Sequence, residues 1–497
     1  MADKKKVIII GSGFAGLSAA CFLAKEKYEV IVLEKNATPG GRARQLEIQD
    51  FKFDMGPSWY WMPDIFERFF EKFDRKVSDY YELKRLDPSY RVYFKDEHID
   101  IPANYNELKE IFENLEKGSG KKLDAFLTEA EYKYKVGINK LVYKPGNSIK
   151  EFFDVELLQG VFKLEVFKSM KNHVARFFID ERIKQILEFP VLFLGAMAEK
   201  IPALYSLMNY ADIKGGTWFP KHGMYSIVKA MTDLACNLGV KFYFNNNVTE
   251  IVVQNKSATN VIAYNNNEKK LFNADVVIAN ADYHFVEMNL LEKKNRSYSE
   301  KYWDKKMMAP GCILYYVGIN KKLKNVLHHS LFFDTSFDVH GKEIYETKEW
   351  PANPLFYVCA ASVTDESVAP ENCENLFFLI PVAAGLTSDS EPLREYYFDM
   401  IVERMEKRTG EKIKDHIIYK KSFAYSDFVN DYNAYKGNAY GLANTLLQTA
   451  ILKPKCRSKK VKNLFYTGQL TVPGPGVPPA LISGEVVAKE VMKYFRN

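Results

Sequence analysis

Two stretches of the chain decide its fold: VIIIGSGFAGLSAA, at Val7–Ala20, and NLFYTGQLTVPGPGVPPALISG, at Asn463–Gly484. The first begins with β-branched residues, turns through Gly11, Gly13 and Gly16, and continues with apolar residues at helical spacing. A strand, a glycine-rich turn and a helix in that order are typical of a dinucleotide-binding β–α–β unit. The second stretch also runs from strand to helix, and we expect its loop to cover the redox end of that dinucleotide.

The glycines and one acid would share the binding of the dinucleotide. Gly11 permits the tight turn, Gly13 lets the backbone approach the pyrophosphate, and Gly16 lets helix and strand pack closely. The helix N-terminus supplies N–H groups and a positive dipole end for the phosphates. Glu34 follows the apolar run VIVL, 18 residues after Gly16, where its carboxylate can accept hydrogen bonds from ribose hydroxyls.

Two further stretches favour FAD over a nicotinamide cofactor. GGRA, at Gly40–Ala43, places two flexible residues and a cation beyond the second strand, so that Arg42 can meet a phosphate while the loop follows the ribityl chain. A plain turn followed by a surface arginine is the alternative. FDMGPS, at Phe53–Ser58, offers a second backbone-rich approach, for which a simple loop is the alternative.

The C-terminal stretch is predicted to lie at the flavin ring. Gly468 and Gln469 end a strand, the loop Val472–Pro479 is rigid and apolar, and a helix from about Ala480 aims its N-terminus back towards the loop. A positive helix end near the N1/O2 edge of a flavin stabilises the anionic reduced form. A proline-rich connector before a surface helix is the alternative.

Composition argues against several classes of protein. The 497 residues are 47% apolar, 27% charged and 14% aromatic, as in soluble globular proteins, and the length predicts roughly two to four domains. The net charge of +6 comes without a basic stripe carrying aromatic residues, which argues against nucleic-acid binding. Six scattered cysteines without a CxxC pattern predict reduced thiols. The longest apolar stretch, around Phe189–Met197, is too short to span a membrane, and no secretory signal is expected before the first strand.

An ordered set of motifs gives the chain a specific resemblance. Besides GSGFAGLSAACFLA, LEKNATPGGRA, FKFDMGP and the C-terminal PGPGVP, the set contains WFPKHGM at Trp218–Met224, DVVIANAD at Asp275–Asp282, HHSLFF at His328–Phe333, VTDESVAPE at Val363–Glu371 and DYNAYKGNAYG at Asp431–Gly441. The similarity runs over nearly the whole chain. The chain resembles the bacterial and fungal type of carotenoid desaturase, typified by phytoene desaturase, within the flavin amine-oxidase-like superfamily. Departures at His222, at Gln469 and at the VPPA of 477–480 leave the exact substrate open.

The resemblance implies an α/β fold. We expect an FAD-binding Rossmann-like domain of the GR2 type, assembled from three discontinuous segments, with an inserted mixed α+β substrate domain and a helical region able to contact a membrane. We place the FAD-binding segments at 1–85, 221–300 and 426–497, a substrate and helical region at 86–220, and the substrate domain at 301–425. The residues expected to contact FAD are Gly11, Ser12, Gly13, Ala15, Gly16, Glu34, Lys35, Gly41, Arg42, Gly56, Pro57, Ser58, Val248, Gly468, Gln469, Val477 and Pro478.

The resemblance also implies an activity: FAD-dependent desaturation of a linear carotenoid precursor, phytoene towards lycopene. Flavin N5 would accept a hydride while the adjacent carbon loses a proton, and oxygen or a quinone would be the electron acceptor. An apolar tunnel would hold this lipophilic polyene, in keeping with the apolar excess of Phe152–Met208, most of which a helical core also explains. The alternatives are a C30 or hydroxylated carotenoid, another lipophilic alkene, an amine held in an aromatic cage of Tyr440 or Trp218, and a flavin-binding structural protein.

The polar candidates for chemistry are few. His222, Lys150 and Glu151 lie in or beside regions expected near the site and are the candidates for the proton acceptor, with a structural or exposed role as the alternative for each. The pair His328–His329 superficially resembles a metal site, but adjacent residues on a strand point to opposite faces. No metal is therefore predicted.

A substrate dissolved in a bilayer implies a cytoplasmic protein attached peripherally to the inner face of the cell membrane. Leu157–Phe178 combines apolar residues with Lys163, Lys168, Lys171 and Arg176, as an interfacial helix would. Lys168 and Lys171 fall within the apolar arc of such a helix, so its amphipathic pattern is imperfect. The sequence leaves the oligomeric state open.

Overall fold

The computed structural model describes residues 4–148, 151 and 164–496, and it contains both strands and helices throughout that length. The strands are β1 (Lys6–Ile10), β2 (Glu29–Leu33), β3 (Gln45–Ile48), β4 (Phe51–Asp54), β5 (Leu83–Arg85), β6 (Tyr90–Tyr93), β7 (His98–Ile101), β8 (Trp218–Pro220), β9 (Lys241–Tyr243), β10 (Asn247–Gln254), β11 (Ser257–Asn265), β12 (Glu268–Asn273), β13 (Val276–Ala279), β14 (Gly311–Ile319), β15 (His329–Phe332), β16 (Phe356–Cys359), β17 (Glu374–Val382), β18 (Ile417–Phe423) and β19 (Leu464–Tyr466). The α-helices are α1 (Phe14–Lys25), α2 (Pro63–Glu71), α3 (Tyr105–Leu115), α4 (Ser119–Val136), α5 (Met170–Ala175), α6 (Glu181–Glu188), α7 (Leu207–Tyr210), α8 (Tyr225–Asn237), α9 (Tyr283–Phe285), α10 (Glu300–Asp304), α11 (Phe337–Lys342), α12 (Glu391–Thr409), α13 (Tyr425–Tyr432) and α14 (Val477–Arg496). Within the described ranges, no helix combines the length and the apolar character needed to cross a membrane.

The central sheet is parallel and has the strand order β19–β13–β1–β2–β9. Successive side chains of its strands point to opposite faces, and both faces are covered. Val7 and Ile9 pack against α1, α8 and α14, whereas Ile8 and Ile10 pack towards the antiparallel sheet β10–β11–β12. Two strands come from the start of the chain, two from its middle and one from near its end, which confirms the expected assembly from three discontinuous segments.

The first and last long helices of the described chain cross in close contact. Gly484 of α14 lies so near α1 that an added Cβ would collide with the Ala15 carbonyl oxygen and would lie 2.6 Å from Ser18 Cβ. The Ser18 hydroxyl donates a hydrogen bond of 2.7 Å to the Leu481 carbonyl in the same crossing. The two stretches that decide the fold are therefore held against each other directly.

Helix α14 begins at Val477, three residues before the expected start at Ala480. Pro478 and Pro479 occupy its first turn, where a helix needs no N–H and the fixed φ of proline suits the backbone. The proline-rich stretch is therefore a loop only as far as Gly476.

A seven-stranded mixed sheet, ordered β18–β14–β17–β16–β15–β6–β7, forms the second part of the molecule. One face packs against α12 through side chains such as Tyr315 and Phe378. The opposite face, which carries Leu314, Leu331 and Tyr357, packs in a core with helical residues of α3 to α6. Because both faces are covered by apolar side chains, β14 is buried along its whole length.

The expected interfacial helix at Leu157–Phe178 is not a single helix where it can be followed. Its positions 157–163 lie outside the described residues, and the chain then turns at Glu165, with a φ of 49°, before α5. The turn brings Glu165 to 2.8 Å from the ammonium of the fully buried Lys133 and to 3.0 Å from the Arg176 guanidinium. The prediction of one helix is therefore wrong for residues 164–178, where the chain turns and Glu165 pairs with Lys133 and Arg176.

Candidate active site

A cavity of about 540 Å³ is lined from both large sheets. On one side are residues that follow the carboxyl ends of β1, β2, β13 and β19, the edge at which ligands bind to open parallel sheets. On the other side are apolar residues of β14 to β17. A single cavity therefore joins the predicted dinucleotide site to an apolar surface.

Asn280, just after β13, holds the glycine-rich turn in place. Its side-chain amide donates to the carbonyl oxygens of Gly11, at 3.1 Å, and Gly13, at 3.4 Å. A Cβ at Gly16 would collide with the Gly11 carbonyl and lie 2.6 Å from Asn280 Nδ2. Gly16 is thus needed for close packing under the turn, while Gly11 and Gly13 line the cavity.

Glu34 is buried at the end of β2 and is already hydrogen-bonded from two sides. Its carboxylate accepts from the backbone and hydroxyl of Ser12, at 2.9 and 2.8 Å, and from the backbone and side-chain amide of Asn36, at 2.9 and 3.0 Å. These bonds fix the carboxylate at the cavity wall, where it can accept from ribose. Ser12 lies behind Glu34 and orients it.

The GGRA loop packs directly on the glycine-rich turn. Gly40 N–H donates to the Ser12 carbonyl at 3.0 Å, and Arg42 follows on the cavity wall. The Arg42 guanidinium lies 5.2 Å from the centre of the Tyr432 ring and donates to the Asn438 carbonyl at 3.3 Å. Arg42 Nε is buried and has no hydrogen-bond partner among the described residues. A half-buried cation with a spare donor beside a glycine turn fits the anionic pyrophosphate of FAD.

The loop before α14 closes the same cavity from the C-terminal side. Gly474 has a φ of 142°, and a Cβ there would lie 2.8 Å from Asn444 Nδ2, so the loop can follow this path only with glycine. The Ala480 N–H is bonded to the Gly476 carbonyl and the two prolines carry no N–H, so among residues 477–480 only Val477 has a backbone N–H that no described backbone carbonyl accepts. The predicted dipole effect on a flavin therefore rests on fewer donors than a helix start usually offers.

Most of the residues expected to contact FAD lie on this cavity. Those in its wall are Gly11, Gly13, Ala15, Glu34, Lys35, Gly41, Arg42, Gly56, Pro57, Ser58, Val248, Gly468, Gln469, Val477 and Pro478. Ser12 and Gly16 lie outside the wall and support it. Contact of each residue with FAD stays a prediction. Sequence reasoning misses Asn280 and Asn444, although the position of Asn280, directly after a buried parallel strand, is a signal that could have revealed it.

The apolar part of the cavity is walled by large side chains. They are Trp59, Trp61, Phe189, Leu192, Leu194, Met197, Leu314, Leu331, Phe333, Phe337, Tyr357 and Tyr440. Trp61 is held by a polar chain in which its indole N–H donates to Thr217 at 2.8 Å and Thr217 donates to Asp212 at 2.9 Å. Burial raises the pKa of Asp212 to about 6. A rigid aromatic wall of this kind suits a long apolar ligand.

The expected proton acceptors are not brought to the cavity. His222 lies in an exposed turn before α8, with a φ of 69°, and its ring is bonded to the Ser367 hydroxyl at 2.7 Å. Glu151 instead accepts hydrogen bonds from the backbone N–H groups of residues 146–148, at 2.9 to 3.1 Å. Lys150 lies outside the described residues. Both described candidates stabilise turns, which corrects the expectation that they lie beside the substrate.

His328 and His329 lie together, and the expectation that they point apart is wrong. His328 precedes β15, so strand alternation does not apply to it, and the two ring centres are 4.4 Å apart. Nitrogen atoms of both rings and Cys359 Sγ lie within 4.8 Å of one another. Burial raises the pKa of the Cys359 thiol to about 12, and each histidine already bonds through Nδ1, His328 with the Thr364 hydroxyl and His329 with the Tyr357 hydroxyl. The pair is better described as a hydrogen-bonding group.

Comparison with known proteins gives a consistent result. A family model described as flavin containing amine oxidoreductase matches residues 14–492. The chain is 39% identical over 489 residues to a carotenoid 3,4-desaturase of Haloarcula japonica, with 98% of each protein covered. It is 29% identical over 496 residues to a zeta-carotene-forming phytoene desaturase of Myxococcus xanthus, with 99% of this chain and 94% of that protein covered. An oxidoreductase from Methanosarcina mazei has the same fold, with a TM-score of 0.63 at 15% identity over 98% of this chain and 100% of that one.

Proposed function

Because the chain belongs to the flavin-containing amine oxidoreductases and, within them, to the carotenoid desaturases, we propose that it desaturates a linear carotenoid, with phytoene as the first candidate substrate. It is an FAD-dependent oxidoreductase that acts on CH–CH groups. The observation that carries the proposal is the single cavity that joins the dinucleotide site to an aromatic wall. A polyene lying along that wall would present its carbon chain to the redox end of the cofactor.

Different residues of the chain would bind the cofactor and orient the substrate. FAD, when bound, supplies the acceptor for a hydride from an allylic carbon. Glu34 and Arg42 would hold the ribose and pyrophosphate ends, and the loop before α14 would cover the ring. Trp59 and Trp61 would align the polyene and exclude water from it, which keeps the reacting carbons in one orientation.

A second candidate is introduction of the 3,4 double bond into an acyclic carotenoid that is already conjugated. The relative named carotenoid 3,4-desaturase is 39% identical to this chain, against 29% for the relative named zeta-carotene-forming phytoene desaturase. An amine substrate receives less support, because Trp218 lies outside the cavity wall and donates from its indole to the Gly215 carbonyl at 3.0 Å. Of the two residues considered for an aromatic cage, Tyr440 lines the cavity and Trp218 does not.

Anaerobic reduction of the bound flavin distinguishes these substrates. Purified yellow protein is mixed with phytoene, with its C30 analogue, with a 3,4-saturated acyclic carotenoid, or with an amine, and bleaching of the flavin is followed with the product spectrum. Bleaching by phytoene with new conjugated products supports the first candidate, and bleaching by the 3,4-saturated carotenoid alone supports the second. Bleaching by the amine alone, or by none of the four, would overturn carotenoid desaturation. Reoxidation by oxygen or by a quinone analogue then identifies the electron acceptor.

We further propose that the protein takes its substrate from a lipid surface at the segment around Leu447 and Leu452. These leucines are 77% and 47% exposed. Between them, Thr449 bonds to the hydroxyl of Tyr205 at 3.2 Å, and Tyr205 lines the cavity. Exposed apolar side chains next to the cavity wall are placed where a lipophilic substrate could pass without crossing water.

Flotation with anionic liposomes tests the lipid contact. The double variant Leu447→Glu with Leu452→Glu should remain in the soluble fraction while wild-type protein floats. Leu271→Glu is the matched control, because Leu271 is 61% exposed on β12, a strand with no residue in the cavity wall, and this variant should float like wild type. Equal flotation of all three proteins would refute this contact surface.

A further inference from the structure

His328 and His329 lie behind the cavity wall and have no part in the function proposed so far. Both are buried, and the Nε2 atom of each has no hydrogen-bond partner among the described residues. A buried polar atom without a partner is destabilising, because it has given up its hydrogen bonds to water and gained none in return. Two such nitrogens on adjacent rings therefore require a reason other than stability.

One end of the histidine pair is bonded to the cavity wall. His329 Nδ1 lies 2.6 Å from the Tyr357 hydroxyl, and that hydroxyl donates to Ser58 Oγ at 2.9 Å. Ser58 and Tyr357 both line the cavity. Trp59, also in the wall, stacks on His329 with ring centres 4.0 Å apart and planes 11° from parallel, which fixes the imidazole. A hydrogen-bonded path thus leads from the wall to His329.

The other end of the pair leads to the surface. His328 Nδ1 lies 2.8 Å from the Thr364 hydroxyl, and Thr364 is partly exposed. Its carbonyl accepts a hydrogen bond of 3.3 Å from Lys84 in an exposed position. Between the two imidazoles, whose centres are 4.4 Å apart, a small ring rotation or one bridging water would complete the path.

Desaturation produces a proton that must leave an apolar cavity. One C–H bond breaks and its electron pair leaves as the hydride accepted by bound FAD; the neighbouring C–H bond breaks, its electron pair forms the C=C bond, and its proton is released. We propose that Ser58, Tyr357, His329 and His328 carry this proton from the substrate to solvent at Thr364, a role that rests on the desaturation proposed above. Hydroxyl groups can rotate and imidazoles can exchange tautomers, so the path can carry protons outward.

The charge states of the histidines suit this role. Burial lowers the pKa of His328 to about 3, helped by Lys84 and opposed by Asp365, and burial lowers the pKa of His329 well below its usual value, helped by His328. Both rings are therefore neutral near pH 7 and able to accept a proton. A proton on the carbon next to one losing a hydride is strongly acidic, so a weak base suffices to accept it and releases it readily. Ser58 and Tyr357 would contact the substrate, and the histidines would act through Tyr357.

Stopped-flow reduction of the bound flavin by the carotenoid that wild-type protein turns over tests the path. Tyr357→Phe and His329→Gln should each slow flavin reduction by about 100-fold, which is a typical contribution of general acid–base catalysis. Neither variant should lose bound flavin. Because the two groups act in series, the double variant should be no slower than the slower single variant. Tyr315→Phe is the control: it removes a buried hydroxyl that donates to the Arg394 carbonyl at 2.5 Å on the other face of the sheet, and it should reduce at the wild-type rate.

A solvent isotope effect separates proton transfer from packing. Wild-type reduction should be slower in D2O, because exchangeable protons of the path move in the same step, and Tyr357→Phe should lose this effect. Wild-type rates in both variants, or the same isotope effect in all proteins, would refute the path while leaving desaturation in place. A wild-type flavin that no carotenoid reduces would refute the proposed function and the path together. If wild-type protein contains one equivalent of zinc and His329→Gln contains none, the histidines form a metal site and the proton path is refuted.

Discussion

Replacing Gly484 by alanine should separate the two helices on which the cofactor site depends. The new Cβ would lie 2.6 Å from Ser18 Cβ and 2.8 Å from the Ala19 nitrogen, whereas ordinary contact begins at 3.4 Å. Helix α14 must therefore retreat from α1 by roughly 1 Å, since interiors are too closely packed to absorb the methyl group. The retreat also breaks the hydrogen bond from Ser18 to the Leu481 carbonyl.

The expected loss of stability follows from three terms. Overpacking in a filled core costs about 1–3 kcal/mol. The broken hydrogen bond adds about 1 kcal/mol. The better helix propensity of alanine returns about 1 kcal/mol. The free energy of unfolding should therefore fall by about 1–3 kcal/mol, and FAD should bind about tenfold more weakly because the loop before α14 moves with the helix.

Urea unfolding of the apoprotein and fluorescence titration with FAD measure the two effects. Gly120→Ala is the matched control, because Gly120 is also inside a helix, α4, and its nearest neighbour is the flexible Glu113 carboxylate at 3.3 Å. The control should be as stable as wild type or up to about 1 kcal/mol more stable, with unchanged FAD affinity. If Gly484→Ala matches the control in both measurements, the close helix crossing does not hold the site.

Two further changes probe single groups. Arg42→Met should weaken FAD binding by about 1.5–3 kcal/mol, the worth of a hydrogen bond to a charged group. Arg91→Met removes an ion pair of 2.5 Å to Asp100, and because neither residue lies in the cavity wall it should leave the FAD affinity unchanged, so equal losses in a fluorescence titration would contradict the role of Arg42. Burial lowers the pKa of His340 from 6.5 to about 4, so the stability that the neutral ring provides is complete above pH 6.5 and is lost as the pH falls towards 4. On lowering the pH from 7.5 to 5, the free energy of unfolding should fall in both proteins, by about 2 kcal/mol less in His340→Gln than in wild type. Urea titrations at several pH values measure this, and equal pH slopes for the two proteins would contradict the pKa shift.

The dinucleotide site could be predicted from the sequence because its signals are local. Gly11, Gly13 and Glu34 lie within one β–α–β unit, and their spacing within that unit indicates their roles without reference to distant partners such as Asn280. The start of α14 was harder to place, because prolines favour both loops and first helical turns. The hydrogen bond of 3.0 Å from the Ala480 N–H to the Gly476 carbonyl shows that the helix continues back over them.

The polar residues around the substrate could not be predicted because their roles depend on distant partners. His222 belongs to the motif at Trp218–Met224, yet its ring bonds to the hydroxyl of Ser367, 145 residues away. His329 has no local signal, since its bond to Tyr357 joins two strands and its stacking on Trp59 joins two parts of the chain. Spacing along the sequence carries no information about such contacts.

The order of strands in the central sheet has a consequence for synthesis of the protein. β1 is synthesised before the other strands of this sheet. Its neighbour β13 begins only at Val276, and the edge strand β19 begins only at Leu464. At about 5–20 residues per second, the interval between Ile10 and Leu464 lasts roughly 20–90 s. Throughout it the central sheet lacks its edge strand β19 and the cover of α14, so the nascent chain presents an apolar surface to chaperones. We expect a chain that stops before α14 to keep every glycine of the first motif and still to bind no FAD, so that it is colourless.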